Sequence, residues 1–115
     1  MNVWGTGKAL REFIYSEDVG RLTNWVLNNY NDSEPIIFSP SVEVSIGDIV
    51  ELIVDNLNFK GNVVFDKNKP EGQYRKPSDN SKLKKYLPDF EFTKIEVGVK
   101  KTIDWFVENY KRVRK

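Results

Sequence analysis

The chain has 115 residues, enough for one domain and hardly for two, with 18 basic against 17 acidic side chains and a formal charge of +1. Apolar residues at 39% and aromatics at 13% supply a core and exclude wholesale disorder, while the near-neutral balance argues against a dedicated binder of duplex nucleic acid. The sequence has no cysteine and no histidine, which removes disulfides, thiolate chemistry, Ser-His triads and the usual zinc sites; no apolar run reaches bilayer length, and MNVWGTGK lacks the apolar heart of an export signal.

In chain order, Gly5-Thr6-Gly7 predicts a turn, and Arg11 to Tyr15 is rich in β-formers and predicts a strand. The two glycines do not make a dinucleotide fingerprint, because Leu10 stands where the third glycine belongs and no clear strand precedes them. GTGK also fails as a phosphate-binding P-loop, lacking the leading glycine and the following Ser or Thr. Ser16 predicts the cap of a helix from Glu17 to about Asn29, with Glu17 and Asp18 in the acid-favouring first turn. Val19, Leu22, Val26 and Leu27 form its apolar stripe, with Trp25 beside it. NNYNDSEP ends that helix. PIIFS, from Pro35 to Ser39, predicts a buried strand, and Val42 to Val44 another short one.

Ser45 and Asp48 have capping-box spacing ahead of a helix carrying Ile46, Ile49, Ile53, Val54 and Leu57 on one side. It closes near Asn58, and Lys60-Gly61 turns the chain into a strand from Asn62 to Asp66. The stretch from Phe65 to Pro88 then opens into a loop with Pro70 and Gly72, in which Glu71 sits among Lys69, Arg75 and Lys76. Loops on a rigid scaffold concentrate binding groups, and two phosphate-seeking cations beside one accepting carboxylate would suit a nucleotide diphosphate; a solvated charged loop is the plain alternative. Asn80 or Ser81 caps a short helix with Leu83, Tyr86 and Leu87 inward, stopped by Pro88. Thr93-Lys94-Ile95-Glu96 reads as a full capping box for a last helix bearing Ile95, Val99, Ile103, Phe106 and Tyr110, widened by Val107, with Trp105 off-centre as a partly exposed anchor. The KRVRK tail is expected to fray.

The expectation is one mixed α/β domain over 1–115, with three main helices, a short fourth, and short strands under helices. No cofactor loop, no complete active site and no Tyr-x-x-x-Lys pair is present, so the chain reads as a piece of an enzyme more readily than as a whole one.

Three segments together resemble the carboxyl-terminal lobe of the extended short-chain dehydrogenase/reductase family, the nucleotide-sugar epimerases and dehydratases. REFIYSEDVGRL resembles that family's strand-then-helix entry; RKPSDNSKLKKYLPDF followed by IEVGVKKTIDWF resembles its closing pattern. Within it, VWGTGKALREF and VVFDKNKPEGQYRK are most similar to GDP-L-fucose synthases, the Lys-Pro-acid-Gly loop before Arg75-Lys76 being the more specific feature. The SPS tract, Ser39 to Ser41, departs from the family's common Asn-x-Gly turn, and Glu71 stands where Asp is usual.

The resemblance implies a carboxyl-terminal, substrate-binding domain whose amino-terminal Rossmann domain is absent. That missing part would hold NADPH and the catalytic residues, so this chain alone is expected to bind no cofactor or metal and to be inactive. The parent reaction would be conversion of GDP-4-keto-6-deoxy-mannose to GDP-L-fucose by epimerisation at two carbons and reduction. Carried over by motif, the substrate contacts fall on Trp4, Arg11, Glu71 and Lys76: a ring for stacking, a guanidinium and an ammonium for the diphosphate, and a carboxylate for ribose hydroxyls or guanine donors. The expected setting is cytoplasmic, with no nucleic acid or membrane partner, a monomeric fragment and a homodimeric parent. Two other readings stand beside it: the same lobe of an enzyme using another nucleotide sugar, and a non-enzymatic domain stacking RNA bases on Tyr74, Tyr86 and Trp4.

Overall fold

The structure, a computed structural model, describes residues 1–113. Along them run β1 (Asn2–Trp4), β2 (Leu10–Glu12), α1 (Ser16–Asn29), β3 (Glu43–Ser45), α2 (Ile46–Asn56), β4 (Val64–Asp66), α3 (Ser81–Tyr86) and α4 (Ile95–Asn109). The mixed α/β class and the count of three long helices and one short one agree with expectation. The sheet does not: three-residue strands form two separate ribbons, β1 parallel to β4 and β2 antiparallel to β3. The first ribbon pairs Asn2, Val3 and Trp4 with Val64, Phe65 and Asp66. The second pairs Leu10 with Ser45, Arg11 with Val44 and Glu12 with Glu43. β1 has no periodic pattern to read at that length, and its partner lies far along the chain.

The helix ends show where local signals held and where tertiary partners displaced them. The Ser45–Asp48 box is complete: the Asp48 amide donates to Ser45 Oγ at 3.0 Å and the Ser45 amide to Asp48 Oδ2 at 3.2 Å. The same helix ends with Asn58 in the left-handed region, φ 48°, which an asparagine tolerates at that position. Ser16, by contrast, is the first residue of α1 and not its cap. Extended Tyr15 caps it, and its carbonyl accepts the Asp18 and Val19 amides at 3.0 and 3.2 Å. The Thr93 box does not form either, since Lys94 is the N-cap of α4 and has no side-chain cap bond. Instead the Thr93 amide and hydroxyl donate to Asp18 at 2.7 and 3.1 Å. A buried carboxylate on α1 offers both donors an acceptor, which the local Glu96 would have to match in water. Asn80 precedes α3 without capping it through its side chain; its amide nitrogen reaches the Ser39 carbonyl at 2.6 Å.

Two predicted strands need correction. The ladder at Arg11–Tyr15 spans Leu10 to Glu12, leaving residues 13–15 as an unpaired approach to α1. Residues 35–39 are no strand at all: they lie without a ladder, and Ile37 is 45% exposed. Apolar composition signals burial against something, but a strand also needs a neighbour with free backbone groups.

Leu22 on α1 and Leu83 on α3 are the largest fully buried apolar side chains, joined by Ala9 and Val50. Tyr86, expected inward, is instead 42% exposed, and at the surface its ring meets Trp25 and Tyr30 edge-on, with centroids 6.0 and 5.3 Å apart. Leu27, assigned to the α1 stripe, is solvent-facing, and so are Trp105, Phe106, Val107 and Tyr110 at the far end of α4. The radius of gyration is 16.7 Å, against about 13 Å for a tightly packed chain of this length. Of the KRVRK tail, Arg114 and Lys115 lie outside the described residues.

Candidate functional site

Everything that positions the candidate residues is built around one seam. β1 delivers Trp4 opposite Asp66, and the next amide, Gly5, donates to the Asp66 carbonyl at 2.9 Å. The chain then reverses through Gly5-Thr6-Gly7. Both glycines have positive φ, 82° and 77°, and both are crowded: an added Cβ would sit 2.9 Å from Glu71 Cβ at Gly5 and 2.5 Å from the Phe65 ring at Gly7. Only glycine meets both demands. β2 follows and carries Arg11, and its first amide, Leu10, donates to the Tyr74 carbonyl at 2.8 Å. The loop between Asp66 and Tyr74 is therefore stitched at both ends to the segment that carries Trp4 and Arg11.

Glu71 lies midway in that loop. Its Oε1 accepts the Thr6 hydroxyl at 2.5 Å and the amides of Thr6 and Lys8, each at 3.2 Å. The Thr6 hydroxyl holds the carboxyl below its ordinary range; the cost of partial burial opposes this, and the Thr6, Lys8 and Ala9 amides reinforce it. Lys69, from the same loop, places its ammonium 5.7 Å from the centre of the Trp4 ring. On the other side, Arg11 Nη1 donates to the Leu10 carbonyl at 2.5 Å and approaches that of Tyr74 at 3.5 Å. An added Cβ on Gly72 would stand 3.6 Å from Arg11 Nη2. Trp4 itself is 65% exposed and presents an open ring face.

The structure thus brings Trp4, Arg11 and Glu71 to one seam. Lys76 is exposed and makes no hydrogen bond or ion pair among the described residues. Arg75, the other cation beside it, is committed: its guanidinium forks onto the Glu43 carboxylate, with Nε 3.1 and 2.9 Å from the two oxygens, and each partner strengthens the charged state of the other. Sequence reasoning missed Thr6, which it saw only as part of a failed phosphate loop, and it missed the carbonyl of Tyr74. A threonine between two glycines is a usable sign of a turn needing a hydroxyl donor, but the acceptor is too distant in sequence to read.

Beneath the seam, Glu12 fastens β2 to two other segments. It accepts the Ser39 hydroxyl at 2.7 Å and the Ser78 amide at 3.3 Å, together with the Ser78 hydroxyl. Burial pushes its carboxyl up, yet the Ser78 and Ser39 hydrogen bonds outweigh this and leave it below the ordinary value. Glu12 and Glu71 therefore bind fewer protons folded than unfolded. Their contribution to stability is complete above the unfolded value near 4.5 and is lost as pH falls through the depressed folded values. Urea midpoints should accordingly be level near neutrality and decline below about pH 4.5, and the decline should be shallower in the double variant Glu12→Gln, Glu71→Gln. Equal slopes in the two proteins would contradict this assignment.

An apolar groove of about 360 Å³ lies elsewhere, between the β2–α1 joint, α2 and α4, lined by Phe13, Tyr15, Ile53, Ile95, Val99 and Ile103. None of the four candidates borders it. Among the described residues no cluster of acids could hold a metal ion, and no helix is long and apolar enough to cross a membrane.

No protein-family model matches the chain. It is 44% identical over 117 aligned residues to a GDP-L-fucose synthase of Dictyostelium discoideum, spanning 100% of this chain and 37% of that protein. It is 42% identical to a probable GDP-L-fucose synthase of Drosophila melanogaster, spanning 98% and 36%. Its fold superimposes with a TM-score of 0.96, at 45% identity, on the crystal structure of a GDP-L-fucose synthetase from Naegleria fowleri bound to NADP, covering 99% of this chain and 36% of that one. The chain therefore spans a little over a third of the length of the relatives it matches.

Proposed function

We propose that this chain, which is similar over its whole length to a little over a third of GDP-L-fucose synthases, is their carboxyl-terminal lobe, belongs with them to the extended short-chain dehydrogenases/reductases, and holds the nucleotide end of a GDP-linked sugar. In that reading a Rossmann domain amino-terminal to it carries NADPH and the bond-changing groups. The complete enzyme, cytoplasmic and dimeric, epimerises and reduces GDP-4-keto-6-deoxy-mannose to GDP-L-fucose.

The observation that carries the proposal is the convergence of Trp4 and Arg11 on one seam, held by a single loop. The exposed indole offers a flat face for stacking. The Arg11 guanidinium, now leaning on carbonyls, can turn its remaining donors onto a diphosphate. Lys76, which makes no hydrogen bond or ion pair among the described residues, adds a movable point charge. Such a grip positions the sugar for groups supplied from outside the lobe. The Gly5–Gly7 turn does not suit the cofactor's phosphates, because the Thr6 and Lys8 amides that would cradle them already donate to Glu71.

Titrating the chain with GDP, UDP and dTDP while following amide and indole resonances tests this. GDP should shift Trp4 and the Arg11 side chain most and bind most tightly. Arg11→Ala should weaken GDP by about 10- to 100-fold, the worth of a charged hydrogen-bonded contact. Tighter binding of UDP, or shifts confined to other surfaces, would overturn the reading.

A further inference from the structure

We propose that Glu71 is a positioning residue: through Thr6 it latches the loop at residues 67–73 and thereby sets how far apart Trp4 and Arg11 stand. This rests on the reading of those two residues as the nucleotide grip. It departs from a direct contact between Glu71 and ligand.

The argument is mechanical. The loop has fixed ends, at Asp66 through β4 and Gly5, and at Tyr74 through Leu10. Between them Glu71 is the one residue whose side chain ties the loop across to the Gly5–Lys8 turn. It sits close enough for Gly5 to have no room for a side chain. Three donors meet on Oε1, which holds this face of the carboxylate against the turn. Lys69 lies two residues before it, over the Trp4 ring, and Gly72 one residue after it, where an added Cβ would stand 3.6 Å from Arg11 Nη2. A loop released at its midpoint would carry Lys69 off the indole and shift the backbone beside the Arg11 guanidinium together. Thr6 is then a member of the same device, although nothing else about it points to a ligand.

The test is a double-mutant cycle on the intact chain, read by GDP titration and by resonances of the free protein. Thr6→Val and Glu71→Ala should each weaken GDP by about tenfold, as loss of a hydrogen bond to a charged group implies. Thr6→Ser, which keeps the hydroxyl, should recover most of that loss. The Thr6→Val, Glu71→Ala double variant should be no weaker than Glu71→Ala alone, because both changes break one latch. In the unliganded protein both single variants should shift the Trp4 indole and Arg11 Nε–H resonances and speed exchange of the Lys8 amide. An unchanged affinity in Thr6→Val, or additive losses in the double variant, would mean that Glu71 meets the ligand itself and would overturn the proposal. Failure of the unaltered chain to bind GDP would sink the grip. The latch would still stand or fall on the resonances of the free protein.

Discussion

Leu22→Ala should lower the stability of the domain by about 3–4 kcal/mol and its melting temperature by roughly 10–20 °C. Leu22 is 0% exposed, and it shares the innermost positions with Leu83. Truncation removes the transfer energy of the lost methyl groups and leaves a hole that α1 and α3 cannot both move to fill. The effect is large because so few apolar side chains are buried: Ala9, Val50 and Leu83 are the others among the described residues. With an ordinary total of about 5–15 kcal/mol, a loss of this size takes away a major share. Leu27→Ala supplies the control. That side chain is 79% exposed and its truncation should change stability by less than about 0.5 kcal/mol. Thermal unfolding followed by circular dichroism separates the two outcomes, and equal shifts would show that the core has been misplaced.

Asp18→Ala should cost about 2–3 kcal/mol, although the residue is an acid in the first turn of a helix where helix-dipole effects alone are worth less than half of that. The carboxylate is 1% exposed and accepts the Thr93 amide, the Thr93 hydroxyl and Arg21 Nη1, the last at 3.3 Å. Removing it strands two donors of Thr93 at the point where the chain enters α4. Arg21 loses little, being 55% exposed on its side chain, so Arg21→Ala should cost under about 1 kcal/mol. Asp18→Asn, which keeps one good acceptor, should fall between the two. Urea denaturation of the three variants would check the order, and an Arg21 effect as large as that of Asp18 would show that the ion pair and not the Thr93 bonds carries the stability.

The contrast between Ser45 and Thr93 shows what could be read in advance. Both offered a capping pattern of the same kind. Ser45 and Asp48 met only each other, so the local rule decided the outcome. Thr93 met a buried carboxylate from α1, and proximity in space outranked proximity in sequence. Long helices were legible because their apolar spacing repeats several times. Strands of three residues repeat nothing, so β1 leaves no pattern to read, and the apolar Pro35–Ser39 run predicts a ladder that the structure does not have. At the candidate site, the spacing of Trp4 and Arg11 and the unusual Lys69-Pro70-Glu71-Gly72 loop were visible. The partners of Glu71 were not, because a hydroxyl and two amides lying more than sixty residues away leave no mark in a linear pattern.

Residues 36–38 bear on how the protein behaves in concentrated solution. Their peptide groups donate and accept no hydrogen bonds among the described residues, and Ile37 faces solvent. Such a bare apolar ribbon is a template on which a second molecule can build a ladder. Pro35 on one side and Pro40 on the other confine the exposed register to a few rungs. Concentrated solutions of the isolated chain should therefore thicken into β-rich aggregates that start at this ribbon, while dilute ones stay clear.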